Sequence, residues 1–189
     1  MEIETERLRL RKWEERDRGA FFRLNSDPTI MEFFGVRRSR KEADARMDEW
    51  REQIAATGFG FGAMELKQTG QAVGIAGLHV TTNVPAFPAG AMEIGWRLVP
   101  ELWGNGLATE AARALLDHAF GRLGQARVIA MAVWNNERSV AVMRRLGMRH
   151  LQGADFDHPV VPDDAPHLKR HVVFGIEARQ WADRGKAAR

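Results

Sequence analysis

With 189 residues, 44% hydrophobic and 28% charged, the chain has the length and composition of one soluble domain with a core of its own. It has no cysteine, which excludes disulfides, a thiolate nucleophile and a thiolate zinc site, and no tyrosine, which removes a common proton donor. The formal net charge is only +3, no apolar run approaches the roughly 18–20 residues that a membrane span needs, and the acidic start lacks a secretory signal, so a cytoplasmic protein is expected.

ERLRLRKW alternates and predicts a first strand near Leu8 to Lys12. Two helical stretches follow. The densest basic cluster, RRSRK at 37–41, is diluted by Glu42 and Asp44, which fits a mixed solvated surface better than a nucleic-acid stripe. Ser39 and Glu42 form a capping-box pattern, and Ala43, Met47, Trp50 and Ile54 then share one face of a helix ended by Gly58. Three strand-like runs come next: FGFGAMEL, AVGIAGLHV and AMEIGWRLV. The KQTGQ turn makes the first two an antiparallel hairpin, and TTNVPAFPAG is a loop before the third. Along the third, Met92, Ile94, Trp96 and Leu98 alternate with Glu93, Gly95 and Arg97.

Directly afterwards stands ELWGNGLATEA. Glycine loses more conformational freedom on folding than other residues, so Gly104 and Gly106 imply a sharp bend or a close approach of the backbone to something. The segment is either a tight strand-to-helix turn or an anion seat at the free N–H groups of a helix start. A mononucleotide P-loop is excluded because no Gly-Lys-Ser/Thr follows, and Thr109 stands where a dinucleotide fingerprint has its last glycine or alanine. Ala108, Ala112, Leu115, Leu116, Ala119 and Leu123 line the next helix, closed by Gly124.

ARVIAMAVW reads as a buried central strand. NNERSVAVMRRLG is a short helix capped by Asn135 or Asn136 and stopped by Gly147. LKRHVVFGI is a further strand, before the polar EARQWADRGKAAR. The order is that of one mixed α/β domain, residues 1–184, with a polar C-terminal tail, 185–189. The glycine turn opens its strand–helix–strand crossover, where open α/β sheets bind ligands.

EIGWRLVPELWGNGLATEAARALLDHAF and VWNNERSVAVMRRLGM resemble the GNAT superfamily of acyl-CoA-dependent N-acyltransferases. ETERLRLRKW and FDHPVVPDDAPHLKRHVVF resemble its Rim-like branch, which includes N-terminal acetyltransferases of ribosomal proteins. Gly106 and Ala108 match the last two fixed positions of the superfamily's Arg/Gln-x-x-Gly-x-Gly/Ala signature, and Trp103 departs from it as is usual in that branch. Asn136 and Ser139 match the branch's Asn-x-x-Ser.

The resemblance implies a mixed, mostly antiparallel central sheet of about six to seven strands, flanked by helices and splayed at its central parallel strand pair. It also implies acetyl-CoA as co-substrate, with its diphosphate over the turn formed by Trp103, Gly104, Asn105, Gly106, Leu107, Ala108 and Thr109. The pantetheine arm would follow the backbone near Leu98, and Asn136 would orient it unless that residue only caps its helix.

The implied chemistry is acetyl transfer to a primary amine by direct attack in a ternary complex. It needs a base, an oxyanion donor and a proton for the leaving thiolate. Glu93 is the candidate base, directly or through a water, and is otherwise a surface carboxylate or a partner of Arg97. Ser139 is the candidate proton donor, against a water or a plain capping role, and a backbone N–H near Leu98 would hold the oxyanion. His158, His167 and His171 fit loop or core positions better than a metal site, His79 and His118 are structural on the same grounds, and no metal is expected.

Asp155, Asp157, Asp163 and Asp164 form either an acidic rim for a cationic acceptor or a solvated turn. Phe33, Phe34, Trp50 and Phe87 either wall an acceptor pocket or pack in the core. Three functions stay open: acetyl transfer to the α-amine of a protein or peptide, transfer to a small amine (polyamine, amino acid or aminoglycoside), and a non-catalytic acyl-CoA-binding module. Neither nucleic acid nor membrane is expected as a partner, and a homodimer is left open.

Overall fold

In the computed structural model, which describes residues 2–187, the chain forms two units. The first unit comprises Met1–His79 and Gly95–Leu115. Its strands lie in the order β1 (Glu2–Glu4), β2 (Leu8–Arg11), β3 (Phe61–Leu66), β4 (Gln71–Thr81, its last two residues in the second unit) and the 95–98 half of β5 (Ala91–Leu98). The first three neighbouring pairs are antiparallel, with Leu10 opposite both Ile3 and Met64. The alternation of the RLRLR segment puts Leu8 and Leu10 fully inside.

Two helices follow β2, α1 (Arg18–Ser26) and α2 (Arg40–Thr57). The predicted capping box forms: the Ser39 N–H donates to Glu42 Oε2 at 2.7 Å and the Glu42 N–H donates back to Ser39 Oγ at 3.3 Å. Ala43, Met47 and Ile54 are buried on one face of α2. Trp50 joins a row of aromatic rings, Trp13 to Phe21 at 4.7 Å, Phe21 to Trp50 at 5.4 Å and Trp50 to Phe61 at 5.3 Å. It is therefore a packing residue of this unit. Arg11 is buried between two buried carboxylates, 2.6 Å from Asp17 and 2.7 Å from Glu65, so the strand's one inward charge is paired from both sides.

The second unit comprises Val80–Ile94 and Leu116–Arg189. Its axis is β6 (Arg127–Val133), which pairs antiparallel with β9 (Arg170–Glu177) from Arg127 opposite Glu177 to Val133 opposite His171. On its other side β6 pairs parallel with β5 through one bridge, Glu93 opposite Ile129. Two short strands, β7 (Arg149–His150) and β8 (Phe156–Asp157), add to β9. An apolar cluster of Val84, Ile129, Ala154, Phe156 and Val173 fills this unit, with Phe87 packed against it. The proline-containing loop is thus anchored by Val84 and Phe87 rather than merely spanning two strands.

α3 (Leu107–Gly121) runs through both units, and α4 (Glu137–Arg145) and α5 (Ala178–Ala187) belong to the second. Buried on α3 are Leu107, Ala111, Ala112, Leu115, Leu116 and Ala119. Ala108 is only half-buried, and Leu123 falls beyond the helix end.

Two features depart from the sequence reading. The described strands number nine rather than six or seven, because β1, β7 and β8 are two or three residues long, too short for alternation to show. The predicted polar end is helical over 178–187, while 188 and 189 of the predicted tail lie outside the described residues. A tertiary contact positions that helix: the Trp181 indole donates to Asp117 Oδ1 at 2.7 Å and its ring lies 6.4 Å from that of Phe120, both on α3.

Candidate active site

The site starts with β5, whose residues 91–94 belong to the second unit and 95–98 to the first, and with the turn that follows. Met92, Ile94 and Leu98 of β5 are buried, while Glu93, Gly95 and Arg97 on the alternate face are half-buried. Arg97 donates through Nη1 to the Leu24 carbonyl at 2.8 Å and Asn25 Oδ1 at 2.9 Å, near the end of α1, and lies 4.0 Å from the Phe34 ring. Burial, and then the Arg38 charge, bring its pKa down to about 9, which leaves it protonated at neutral pH. A cation at a helix C-terminus complements the dipole. Arg97 and Phe34 therefore hold structural positions.

After Leu98 the Val99 N–H donates to the Val73 carbonyl at 3.0 Å, and a single tight turn, Pro100–Leu102, redirects the chain. The Trp103 indole then folds back and donates to the Leu98 carbonyl at 2.8 Å. This bond accounts for a tryptophan at the signature's Arg/Gln position, where it braces the turn.

Gly104 and Gly106 both have φ of +78°, the left-handed region that disfavours a side chain. α3 begins immediately, with the Glu110 N–H donating to the Gly106 carbonyl at 3.0 Å. Among the described residues, the N–H groups from Gly104 to Thr109 find no backbone acceptor. The Asn105 side chain donates to the Trp103 carbonyl at 3.1 Å, and the side chain of Leu107 is buried, so these two residues offer the site their amides. A Cβ built at Gly104 would meet nothing within 4 Å. The seat is open and its donors are unclaimed, which fits a diphosphate.

Glu93, Asn136 and Ser139 belong to the second unit. Loss of water on burial pushes the Glu93 carboxyl up to about 7, against a hydrogen bond with Thr81 that lowers it. Thr81 is itself buried at the end of β4, and no sequence pattern marked it. Asn136, not Asn135, caps α4, its Oδ1 accepting from the Ser139 N–H at 3.1 Å. Ser139 takes part in the cap through its backbone, and its hydroxyl has no described partner.

The remaining candidates separate as well. Asp155 accepts from the Val173 N–H at 3.1 Å and stands 2.8 Å from His150 Nε2, while Asp163 pairs with Lys169 and Asp157 lies 3.7 Å from Arg170. Three of the four loop acids thus have local partners. The His158 and His171 rings lie 4.8 Å apart at a tilt of 45°, and burial lowers both their pKa values.

The model of the acetyltransferase (GNAT) domain matches residues 7–149, which include both the glycine turn and the start of α4. The chain belongs to the GNAT acetyltransferase family. This acetyltransferase is 32% identical over 184 residues, 95% of its length and 77% of the relative's, to FsC-acetyl coenzyme A-N(2)-transacetylase of Aspergillus fumigatus. An acetyltransferase (GNAT family) from Bacillus anthracis has a similar structure, with TM-score 0.78 and 24% identity over 95% of this chain and 99% of that one. The ribosomal-protein-S5-alanine acetyltransferase from Vibrio fischeri aligns with TM-score 0.74 and 18% identity over 96% and 98%. At these identities the structural likeness is one of fold. The GNAT family generally uses acetyl-CoA, and no helix among the described residues is long and apolar enough to cross a membrane.

Proposed function

We propose that this acetyltransferase moves an acetyl group from acetyl-CoA to a primary amine of a small molecule. The observation that carries the reading is the run of unclaimed amides from Gly104 to Thr109 at the head of α3, in a chain of this family. Those N–H groups and the positive end of the helix dipole hold a diphosphate, and the positive φ of the glycines keeps side chains out of its way. When bound, acetyl-CoA supplies an activated thioester carbonyl.

The residues of the chain supply the proton transfers. An alkylammonium with a pKa of ~10 must lose a proton before it attacks, and a carboxylate poised at about 7 is a competent base at neutral pH. Glu93 takes that proton, directly or through a water. As the C–S bond breaks, the Ser139 hydroxyl relays a proton to the leaving sulfur and regains one from the acylated nitrogen, so the serine ends unchanged. Asn136 keeps the head of α4 in place and orients the cofactor arm.

Two observations favour a small acceptor. A relative 32% identical over most of the chain is named for transfer to an N(2) position. Three of the four acids that would draw a basic peptide, Asp155, Asp157 and Asp163, already have partners nearby. Transfer to a protein α-amine in the Rim-like manner is the second reading, supported by the fold likeness to the Vibrio enzyme. Free thiol released from acetyl-CoA across a panel of amines and peptides tests both. Release with small amines supports the first reading, release with peptides alone supports the second, and tight cofactor binding without release would leave a binding module.

A further inference from the structure

Arg7 lies between β1 and β2, far from the glycine turn in sequence, yet the fold brings it there. Its backbone N–H donates to Glu110 Oε1 at 2.8 Å and its Nε to Glu110 Oε2 at 2.7 Å. The Thr5 hydroxyl donates to the same Oε1 at 2.5 Å, so both carboxylate oxygens are engaged. Nη1 extends beyond the helix start and donates to the Asn105 carbonyl at 2.9 Å. A Cβ at Gly106 would lie 3.6 Å from Nη2, so the far end of the guanidinium borders the glycine at the centre of the seat.

The charges are arranged unevenly. The Arg7 side chain is 44% exposed and that of Glu110 only 17%, so the cation faces solvent and the carboxylate does not. A bare carboxylate in the first turn of α3 would repel an incoming phosphate. Paired as it is, Glu110 fixes the guanidinium instead, and only part of the five-donor fork is used within the protein.

We infer that Arg7 is a further cofactor-binding residue, whose Nη2 gives a hydrogen bond and a positive charge to a diphosphate oxygen of CoA. Glu110 is its positioning residue. The inference rests on the acetyl-CoA reading above and adds a side chain to a seat otherwise made of backbone. A planar fork suits phosphate better than a point charge, so lysine is an incomplete substitute.

Calorimetric titration of CoA into the wild type, Arg7→Gln, Arg7→Lys and Glu110→Gln tests it, with thermal unfolding recorded for each variant. Charge-assisted hydrogen bonds of this kind predict a Kd about 10- to 100-fold weaker in Arg7→Gln, with a smaller loss in Arg7→Lys. Glu110→Gln releases the guanidinium from its position but leaves the cation, so its Kd should weaken several-fold less than that of Arg7→Gln. Added salt should weaken the wild type more than Arg7→Gln.

A merely structural pair would make Arg7→Gln and Glu110→Gln lose affinity alike, and that result overturns the inference. Unchanged affinity in Arg7→Gln overturns it too, while the acetyl-CoA reading stands. If Arg7→Gln does not fold, wild-type affinity in Arg7→Lys has the same force. A wild type that fails to bind CoA removes both.

Discussion

Replacing Glu93 by glutamine should trade activity for stability, in a way that depends on pH. The carboxyl rises from 4.5 to about 7 on folding, mainly through lost hydration. That span of about 2.5 units is worth roughly 3 kcal/mol at ~1.36 kcal/mol per unit. Because the folded-state value is the higher one, the native protein holds more protons between the two values, and its stability falls as pH rises through that window. Glu93 therefore costs the native state about 3 kcal/mol at pH 8 and under about 1 kcal/mol at pH 5. Glutamine carries no such cost.

Urea unfolding at the two pH values, with the m-value as a check on compactness, should show Glu93→Gln gaining roughly 2–3 kcal/mol on wild type between pH 5 and pH 8. Over the same range wild-type kcat/KM should rise to a plateau above about 7 as the base loses its proton, and the variant should be slower by about 10²-fold or more with a flat profile. A stability difference independent of pH would show that the carboxyl is not held protonated by its surroundings. Full activity in the variant would remove it as the base.

Further outcomes can be measured on the same footing. Gly106→Ala should cost about 1–2 kcal/mol of stability through its positive φ, and Gly106→Glu, which adds a carboxylate beside the amides, should abolish detectable CoA binding in calorimetry. Asn136→Ala should lower stability by about 1 kcal/mol through the lost cap. Ser139→Ala should leave stability within ~0.5 kcal/mol, since its hydroxyl has no described partner, while reducing kcat. Arg11→Met takes the buried cation from Asp17 and leaves Glu65 to Arg9 and Arg16, and should destabilise by about 3 kcal/mol in urea, with Leu8→Ala as a packing control.

Local rules made much of this protein readable from its residues alone. Alternation over two-residue periods marked β5 and its buried face, the Ser39–Glu42 pair marked the start of α2, and the glycines before α3 marked the turn. Each signal concerns the backbone conformation of a few consecutive residues, which neighbours in sequence control. The short strands gave no such signal, and the terminal helix α5 formed in a polar segment because Trp181 has Asp117 and Phe120 to dock on.

The chemistry of the site was decided elsewhere. Sequence supplied Glu93 as a carboxylate on a strand, but only the fold strips it of part of its hydration and sets Thr81 beside it. Trp103 matched no fixed signature position, yet its indole secures the turn through a bond to Leu98. Arg7 reaches Asn105 across 98 positions of chain, a separation that no periodicity encodes. Conformational preference acts over a few residues along the backbone, whereas solvation and charge depend on everything that packing gathers around an atom, and that gathering exists only in the folded molecule.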